Sequence, residues 1–546
     1  MNNNIHETDV LIIGKGIAGV RAANEAVRAG LTVTIVNKAG GASPEVMGFN
    51  TTIGQEDSEE VFLNDTLKSG SYINNKEVLR RLVENANDEV AYLEELGLNF
   101  DKNPDGTYNL MQTLGSSYPR MVHYQSLTGA TAMKLIDNDN IKRGVQVFAP
   151  FAVIGLLDQD QRIVGASAID MKSGELVFFR SKAVVIATGG CGDIYPLTTY
   201  PSGITGDGYA MAYRAGAELV DMEFLQYDPC GFVTPGVLRG RVMVTTLLNE
   251  GAEIYNADGQ RFIINDYGTY NIQKSELSRR MYTEIAAGKG TELGGVYYDM
   301  TKLPYRRIAI DHNLFYDPAF AAGVDMTKTP AEVAPLAHSC VGGVVIDRNC
   351  ATTLAGLFAA GETAGGIHGA NRIGGNAGTE IFVYGKLAGK SASLFAKALP
   401  ERHESVSGEA AMKRETERYS SWKNRSGGDV PIAQILDSAR GAIHDGIGII
   451  RNEQSIMKCQ KRLSELEDAI NSLRIDTTKD ILSCYTLQNI LTIAKIQTSA
   501  SLMRKESRGV FFRDDYPAAD DVWKGNIFVR YGNNEEMELQ VISTDE

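Results

Sequence analysis

The residues best suited to chemistry appear within the first twenty positions. Gly14, Gly16 and Gly19 form a G-x-G-x-x-G run in Gly14-Lys15-Gly16-Ile17-Ala18-Gly19. This spacing has a mechanical meaning only between a strand and a helix. There Gly14 makes the turn, Gly16 lets backbone N–H groups reach a pyrophosphate, and Gly19 admits close helix–strand packing. The flanking sequence supplies that context: Asp9-Val10-Leu11-Ile12-Ile13 is a short apolar run, Val20 to Ala29 is helical in pattern, and Leu31 to Val36 is a second apolar run. Together they predict a βαβ unit that binds a dinucleotide. The second run ends in Asn37-Lys38 where an acid usually holds a ribose 2′-hydroxyl, which weakens the case for NAD and leaves FAD. The six cysteines, Cys191, Cys230, Cys340, Cys350, Cys459 and Cys484, are scattered without any C-x-x-C. Local spacing therefore builds neither a metal site nor an iron–sulfur cluster, and free thiols in a reducing compartment are the simplest reading.

The elements that must position these residues follow from length and patterning. With 546 residues, 43% hydrophobic and 22% charged, the chain has material for two to four domains of ordinary globular type. Lys and Arg number 54 against 68 Asp and Glu, a formal charge of −14, so the overall field repels nucleic acid and anionic membranes. The polar start, Met1 to Thr8, has no apolar leader, and no stretch approaches eighteen uncharged apolar residues; a cytoplasmic, non-inserted protein is expected. Apolar residues recur at three and four through Val61, Leu63 and Leu67, then through Leu79, Leu82, Val83, Ala86, Val90 and Leu93, predicting two amphipathic helices. From Val145 to Ile186 the pattern is strand-like, with turns at Asp158-Gln159-Asp160 and Lys172-Ser173-Gly174, a β-meander returning to the nucleotide domain. After His403 the chain is polar to Gly428, then helical from Ile432 to about Arg504.

Several later segments carry a resemblance. They are Ala187-Thr188-Gly189-Gly190, Thr205-Gly206-Asp207-Gly208, Gly356-Leu357-Phe358-Ala359-Ala360-Gly361-Glu362 and His368-Gly369-Ala370-Asn371-Arg372-Ile373-Gly374-Gly375-Asn376. Glu506-Ser507-Arg508-Gly509 and Arg513-Asp514-Asp515-Tyr516-Pro517 follow near the end. In this order and over nearly the whole chain they resemble the succinate dehydrogenase and fumarate reductase flavoproteins, a family that includes L-aspartate oxidase and soluble fumarate reductases. The resemblance implies an α/β fold: a Rossmann-like FAD-binding domain (1–223 and 339–402) interrupted by an α+β capping domain (224–338). A linker (403–430), a helical domain (431–510) and a C-terminal tail (511–546) complete it. It also implies that hydride passes between flavin N5 and a C–C bond next to a carboxylate or carbonyl.

Residue roles follow from the same resemblance. FAD is expected against Gly14, Gly16, Ile17, Ala18 and Gly19, against Asn37, Lys38, Ser43 and Gly48, and against Ala187, Thr188, Gly189 and Asp207. Gly361, Glu362, Arg372, Asn376 and Ala377 complete that set. Arg372 matches the arginine that clamps a substrate carboxylate, His338 the carboxylate-binding histidine of H-x-x-x-G-G, and Arg279 the proton-transferring arginine. The family's flavin-attachment histidine has no counterpart in Gly40 to Gly48, so non-covalent FAD is expected.

The departures bear on the substrate. Where the family has Q-F-H-P-T-G, this chain reads Gln226-Tyr227-Asp228-Pro229-Cys230-Gly231. An anion at Asp228 would repel a dicarboxylate by several kcal/mol in a dry cleft unless it were protonated, or unless the ligand carried a cation or hydroxyl. The substrate is thus expected to differ from fumarate at that end, with Asp228 a candidate catalytic base or a structural cap. The relay segment reads Val244-Thr245-Thr246-Leu247-Leu248-Asn249-Glu250-Gly251 and lacks the relay acid and arginine, while Gln112-Thr113 stand where aspartate oxidase has its amine-binding acid. Cys230 and Cys340 are expected near the substrate, reactive only if a cation lowers their pKa. No metal is expected. Two other readings remain: C–N oxidation of the aspartate oxidase kind, and an electron-transfer subunit working with an iron–sulfur or other protein, its strand-like end from Asn526 to Ile542 adding an edge to that partner. A homo-oligomer is equally open.

Overall fold

A computed structural model of the chain describes residues 4–263, 273–400, 407–425, 428–532 and 536–544. Its central sheet grows from the apolar runs that periodicity marks. Strand Ile5–Ile13 lies between Val33–Val36 and Leu176–Ile186, parallel to both, and Val10 to Ile13 are almost wholly buried, as continuous apolar strands of a covered parallel sheet must be. Gln146–Phe148 adds a further parallel strand at one side, and Leu357–Ala359 pairs in parallel with the end of Leu176–Ile186. The C-terminal ends of four parallel strands, at Ile13, Val36, Ile186 and Ala359, therefore open onto one crevice. Phe151–Gln159, Arg162–Asp170 and Leu176–Ile186 form the antiparallel meander.

Helix Ile17–Arg28 packs on this sheet and against the long helix Asn376–Ala398. Their backbones approach so closely that a Cβ on Gly389 would lie 2.4 Å from the carbonyl oxygen of Ala22. Helices Glu59–Ser69 and Lys76–Glu95 are set off by the side chains of Ser58 and Asn75, which accept hydrogen bonds from first-turn amides.

A second sheet, antiparallel, takes its strands from Leu225–Phe232, Ala331–Cys340, Val296–Asp299 and Glu253–Tyr255, in that spatial order. It has a core of its own, containing Phe232, Leu247, Leu248, Ile254, Met281 and Tyr298. Helix Lys274–Glu284 packs on its first strand. Beyond it come helices Ile432–Ile447, Glu453–Asp468 and Thr478–Met503, the last two started by capping boxes at Asn452 and Thr477.

Two expectations need correction. The polar stretch from 403 to 430 is no plain linker: it contains the helix Glu409–Lys423, whose Ala411, Tyr419 and Trp422 are buried, with Ala411 packed on Leu157 and Val164 of the meander. Residues 401–406 and 426–427 lie outside the described ones. The C-terminal strands are tied to this chain itself. Gly525–Tyr531 and Met537–Ser543 form a hairpin, and Phe528 and Val529 pair with Val220 and Leu219, leaving only the outer strand as an edge. Among the described residues, no helix is long and apolar enough to cross a membrane, and no cluster of side chains could hold a metal ion.

Candidate functional site

The glycine turn at the crevice is as tight as its sequence requires. Gly14 has φ +107°, and a Cβ there would sit 2.2 Å from the carbonyl oxygen of Ala187. The helix beginning at Ile17 has Gly16 as its N-cap with no side-chain cap, and the Ile17 amide donates to Ser43 Oγ at 3.0 Å. Asn37 receives the Lys15 amide, and the Lys38 ammonium pairs with Asp207 at 2.9 Å. Thr188 and Gly189 meet Thr363, which donates to the Gly189 carbonyl at 3.2 Å and accepts from the Thr188 amide at 3.0 Å. A would-be Cβ on Gly40 or Gly41 meets nothing within 4 Å, so this lip is open. Bare glycine backbone at a helix N-terminus, set in the crevice beyond four parallel strand ends, fits a dinucleotide such as FAD.

Next to this cradle lies Glu362, whose carboxylate accepts from the Cys340 amide at 2.8 Å and from the Tyr200 hydroxyl. Burial pushes its carboxyl up to about 7. The thiols of Cys191 and Cys340 are 3.2 Å apart and both are buried. Contact with Cys340 and burial push the Cys191 thiol up, and burial with the nearby Asp228 carboxylate does the same for Cys230, so neither Cys191 nor Cys230 is activated.

Four further side chains belong to the candidate site. Arg372 is only 8% exposed, its Nη1 donates to its neighbour's carbonyl at Ile373, and its Nε is buried without a partner. Such an orphaned donor on a buried guanidinium marks a place for an acceptor. Its loop is fixed by Gln226, which donates to the Arg372 carbonyl at 3.0 Å and to Asn371 Oδ1 at 3.1 Å, and by His368 against Glu380 at 2.8 Å. His338 is set by Thr199, 3.2 Å from Nδ1. Burial pushes its imidazole down to about 4, against the pull of Asp228, so it is neutral at pH 7. Asp228, wholly buried on the facing strand, accepts from Lys274 Nζ at 2.6 Å and from the Cys230 amide at 3.3 Å. Burial opposes its ionisation, yet the charge and hydrogen bond of the Lys274 ammonium outweigh this and hold the carboxyl below its usual range. Asp228 and His338 stand on paired strands, with Tyr227 opposite Ala337, and Lys274 is bonded to Asp228.

Here the sequence reading requires two changes. Arg279 is not in this group: it turns onto the Glu276 carboxylate and lies 4.1 Å over the Phe512 ring. Helical geometry gives the reason. Lys274 and the buried Ser278 are one turn apart on the face that packs against Tyr227, whereas Arg279, five residues after Lys274, is rotated about 140° away. The cation that meets Asp228 is Lys274, which the sequence reading missed. Its i, i+4 relation to Ser278 was the available signal. The second change concerns charge. With Lys274 bound to it, Asp228 is half of a neutral pair, and the expected repulsion of a dicarboxylate loses its physical basis.

The relay segment is equally distinct. Leu247 and Leu248 are buried in the core of the second sheet, and Glu250 pairs at the surface with Arg307 at 2.7 Å. Thr113, near Gly374 of the arginine loop, is bonded to Ser116 at 2.7 Å and brings no acid to the site.

Comparison with known proteins places the chain among flavoproteins. The family profile described as FAD binding domain matches residues 9–377, and that described as Fumarate reductase flavoprotein C-term matches residues 439–545. The chain is 35% identical over 559 residues to one subunit of the CoM/CoB fumarate reductase of Methanothermobacter marburgensis, covering 99% of this chain and 100% of that one. It is 30% identical over 540 residues to the fumarate reductase flavoprotein subunit of Escherichia coli, covering 93% and 88%. Among solved structures, a mutant FrdA of E. coli quinol fumarate reductase superposes with a TM-score of 0.92 at 29% identity, covering 100% of this chain and 97% of that one. The glycine cradle, the buried arginine with its unpartnered nitrogen and the two matching profiles together identify the chain as an FAD-dependent oxidoreductase of the fumarate reductase and succinate dehydrogenase flavoprotein family, acting on a CH–CH group.

Proposed function

We infer that the protein reduces or forms a C–C double bond next to a carboxylate, with a small unsaturated dicarboxylate of the fumarate class as substrate. The observation that carries this is the buried Arg372 guanidinium, whose free Nε points to an anion, beside a neutral imidazole and a charge-balanced Asp228–Lys274 pair. Arg372 holds one carboxylate with a planar fork, His338 orients it, and Lys274 offers an ammonium to the rest of the ligand. Bound FAD supplies the hydride chemistry. The chain's own contribution is to hold the carbonyl end in a dry, cationic site, where electron density developing towards the carboxylate is stabilised.

The FAD is non-covalent, because Gly40 to Gly48 contain no histidine to attach it. Aspartate oxidation is the weaker reading: Gln112 and Thr113 bring no acid for an amine, and the Asp228 carboxylate is already taken by Lys274. The relatives named as fumarate reductase subunits favour a separate electron-transfer protein as partner, and six unpaired buried cysteines favour a reducing compartment such as the cytoplasm. A steady-state assay with reduced viologen as artificial donor tests the reading. Oxidation of the dye that depends on fumarate or a close unsaturated acid is expected, and dye oxidation that no unsaturated carboxylate stimulates would reject it.

A further inference from the structure

We propose that Cys191 and Cys340 are a peroxide-sensitive dithiol, a modification site that closes to a reversible disulfide beside the crevice of the FAD-binding domain, with Cys340 as the sulfur oxidised first. The proposal goes beyond the hydride reaction and does not depend on which acid is reduced. In balanced form, Cys340 passes its thiol proton towards Glu362 through the Tyr200 hydroxyl. Its sulfur takes one oxygen of hydrogen peroxide as the O–O bond breaks, and the other oxygen leaves as water with that proton. Cys191 then attacks the sulfenic sulfur; the S–S bond forms, and the hydroxyl leaves with the Cys191 proton as a second water. Two thiols lose two electrons, and one peroxide is reduced to two waters.

Position and contact lead there. Cys191 follows Ala187-Thr188-Gly189-Gly190 at the crevice, and Cys340 ends the strand Ala331–Cys340, which carries His338. The two are 149 positions apart, yet their sulfurs lie 3.2 Å from each other, and the Cys191 amide donates to Cys340 Sγ at 3.2 Å. A disulfide brings its sulfurs to about 2.0 Å, so closure is a movement of about 1.2 Å. The backbone on the Cys340 side is already fixed. The Thr199 amide donates to the Ala337 carbonyl at 2.9 Å, and the Cys340 amide to Glu362 at 2.8 Å. That leaves the movement to side-chain rotation.

The surroundings assign the two roles. Cys340 Sγ accepts from the Cys191 amide and stands 3.7 Å from the Tyr200 hydroxyl, which also bonds Glu362. An N–H aimed at a sulfur favours its charged form. Glu362, pushed up to about 7 by burial, is poised to take a proton at neutral pH. Contact with Cys340 and burial push the Cys191 thiol up, so Cys191 waits as the resolving partner. Exposure points the same way: Cys340 keeps 6% of its surface and Cys191 none. So little access suits a small oxidant of the peroxide class and excludes a bulky disulfide reagent.

The test treats the FAD-loaded protein with excess hydrogen peroxide and counts thiols after denaturation. Free thiols are expected to fall from six to four, and dithiothreitol to restore all six. Mass spectrometry without reductant should find the Cys191 and Cys340 peptides joined, lighter together by two hydrogen atoms. With Cys191→Ser the resolving thiol is gone, so dimedone, which traps a sulfenic acid, should label Cys340; with Cys340→Ser it should leave Cys191 unlabelled. Flavin absorbance reports whether each variant is folded, and the thiol count on the unaltered protein stands if one is not. Six thiols after peroxide, or a loss confined to other cysteines, would overturn the proposal, since the pair would then be inert core packing. So would a loss that dithiothreitol does not reverse. Equal dimedone labelling of the remaining cysteine in both variants would overturn the assignment of Cys340 as the first sulfur.

Discussion

Replacing Arg372 by Ala should cost most of the affinity for a dicarboxylate while leaving FAD in place. The guanidinium is 8% exposed and its Nε has no partner in the protein, so a bound carboxylate would take hydrogen bonds already stripped of water. Each charge-assisted bond is worth about 1.5–3 kcal/mol, and a bidentate pair therefore about 4 kcal/mol after allowance for non-additivity. At about 1.4 kcal/mol per decade this is roughly a thousandfold rise in Kd. Arg372→Lys keeps the charge but loses the fork, for about 2 kcal/mol or roughly thirtyfold. Calorimetric titration with succinate, alongside flavin absorbance, reads both values. A Kd within tenfold of the unaltered protein for Arg372→Ala, at full flavin content, would refute the assignment of the carboxylate to this arginine.

Other expectations follow from single contacts. Gly14→Ala places a Cβ 2.2 Å from the Ala187 carbonyl at a φ of +107°, so the purified variant should carry little or no flavin; a normal flavin spectrum would show that the turn is not the cradle. Arg279→Ala should change turnover less than threefold, because that side chain is occupied by Glu276 and Phe512, and a loss beyond a hundredfold would restore it to the site. Asp221, buried beside Glu223 and Arg504, is pushed up to about 8, first by burial and then by Glu223. A raised carboxyl gives stability that is full below the unfolded value near 3.8 and is lost as pH rises through about 8. The thermal midpoint should therefore fall between pH 5 and pH 9, and Asp221→Asn should flatten that slope; an unchanged slope would contradict the assignment.

The glycine turn was readable because strand, turn and helix are contiguous, so spacing alone carries the geometry. His338 and Arg372 could be singled out because each sits in a short contiguous motif. Lys274 was not, because its meaning lies in a contact with Asp228 across 46 positions, made when a cap helix docks on a cap strand. Between two nearby cations, sequence cannot say which faces inward until the helix phase is fixed by Ser278 on Tyr227. The helix Glu409–Lys423 was hidden for a related reason. It buries few side chains, and its polar remainder reads as linker. The terminal strands announced themselves by alternation, but their pairing with Leu219 and Val220 is some three hundred residues distant and leaves no local trace.

The central claim is that this flavoprotein exchanges hydride with a C–C double bond beside a carboxylate. It is tested most directly by reducing the bound flavin with dithionite under anaerobic conditions, adding fumarate, and following the oxidised flavin band by stopped flow. Return of that band within seconds, saturable in fumarate and formed with one equivalent of succinate, is predicted. A fully loaded flavin that stays reduced with fumarate and with a panel of other unsaturated acids would contradict the account.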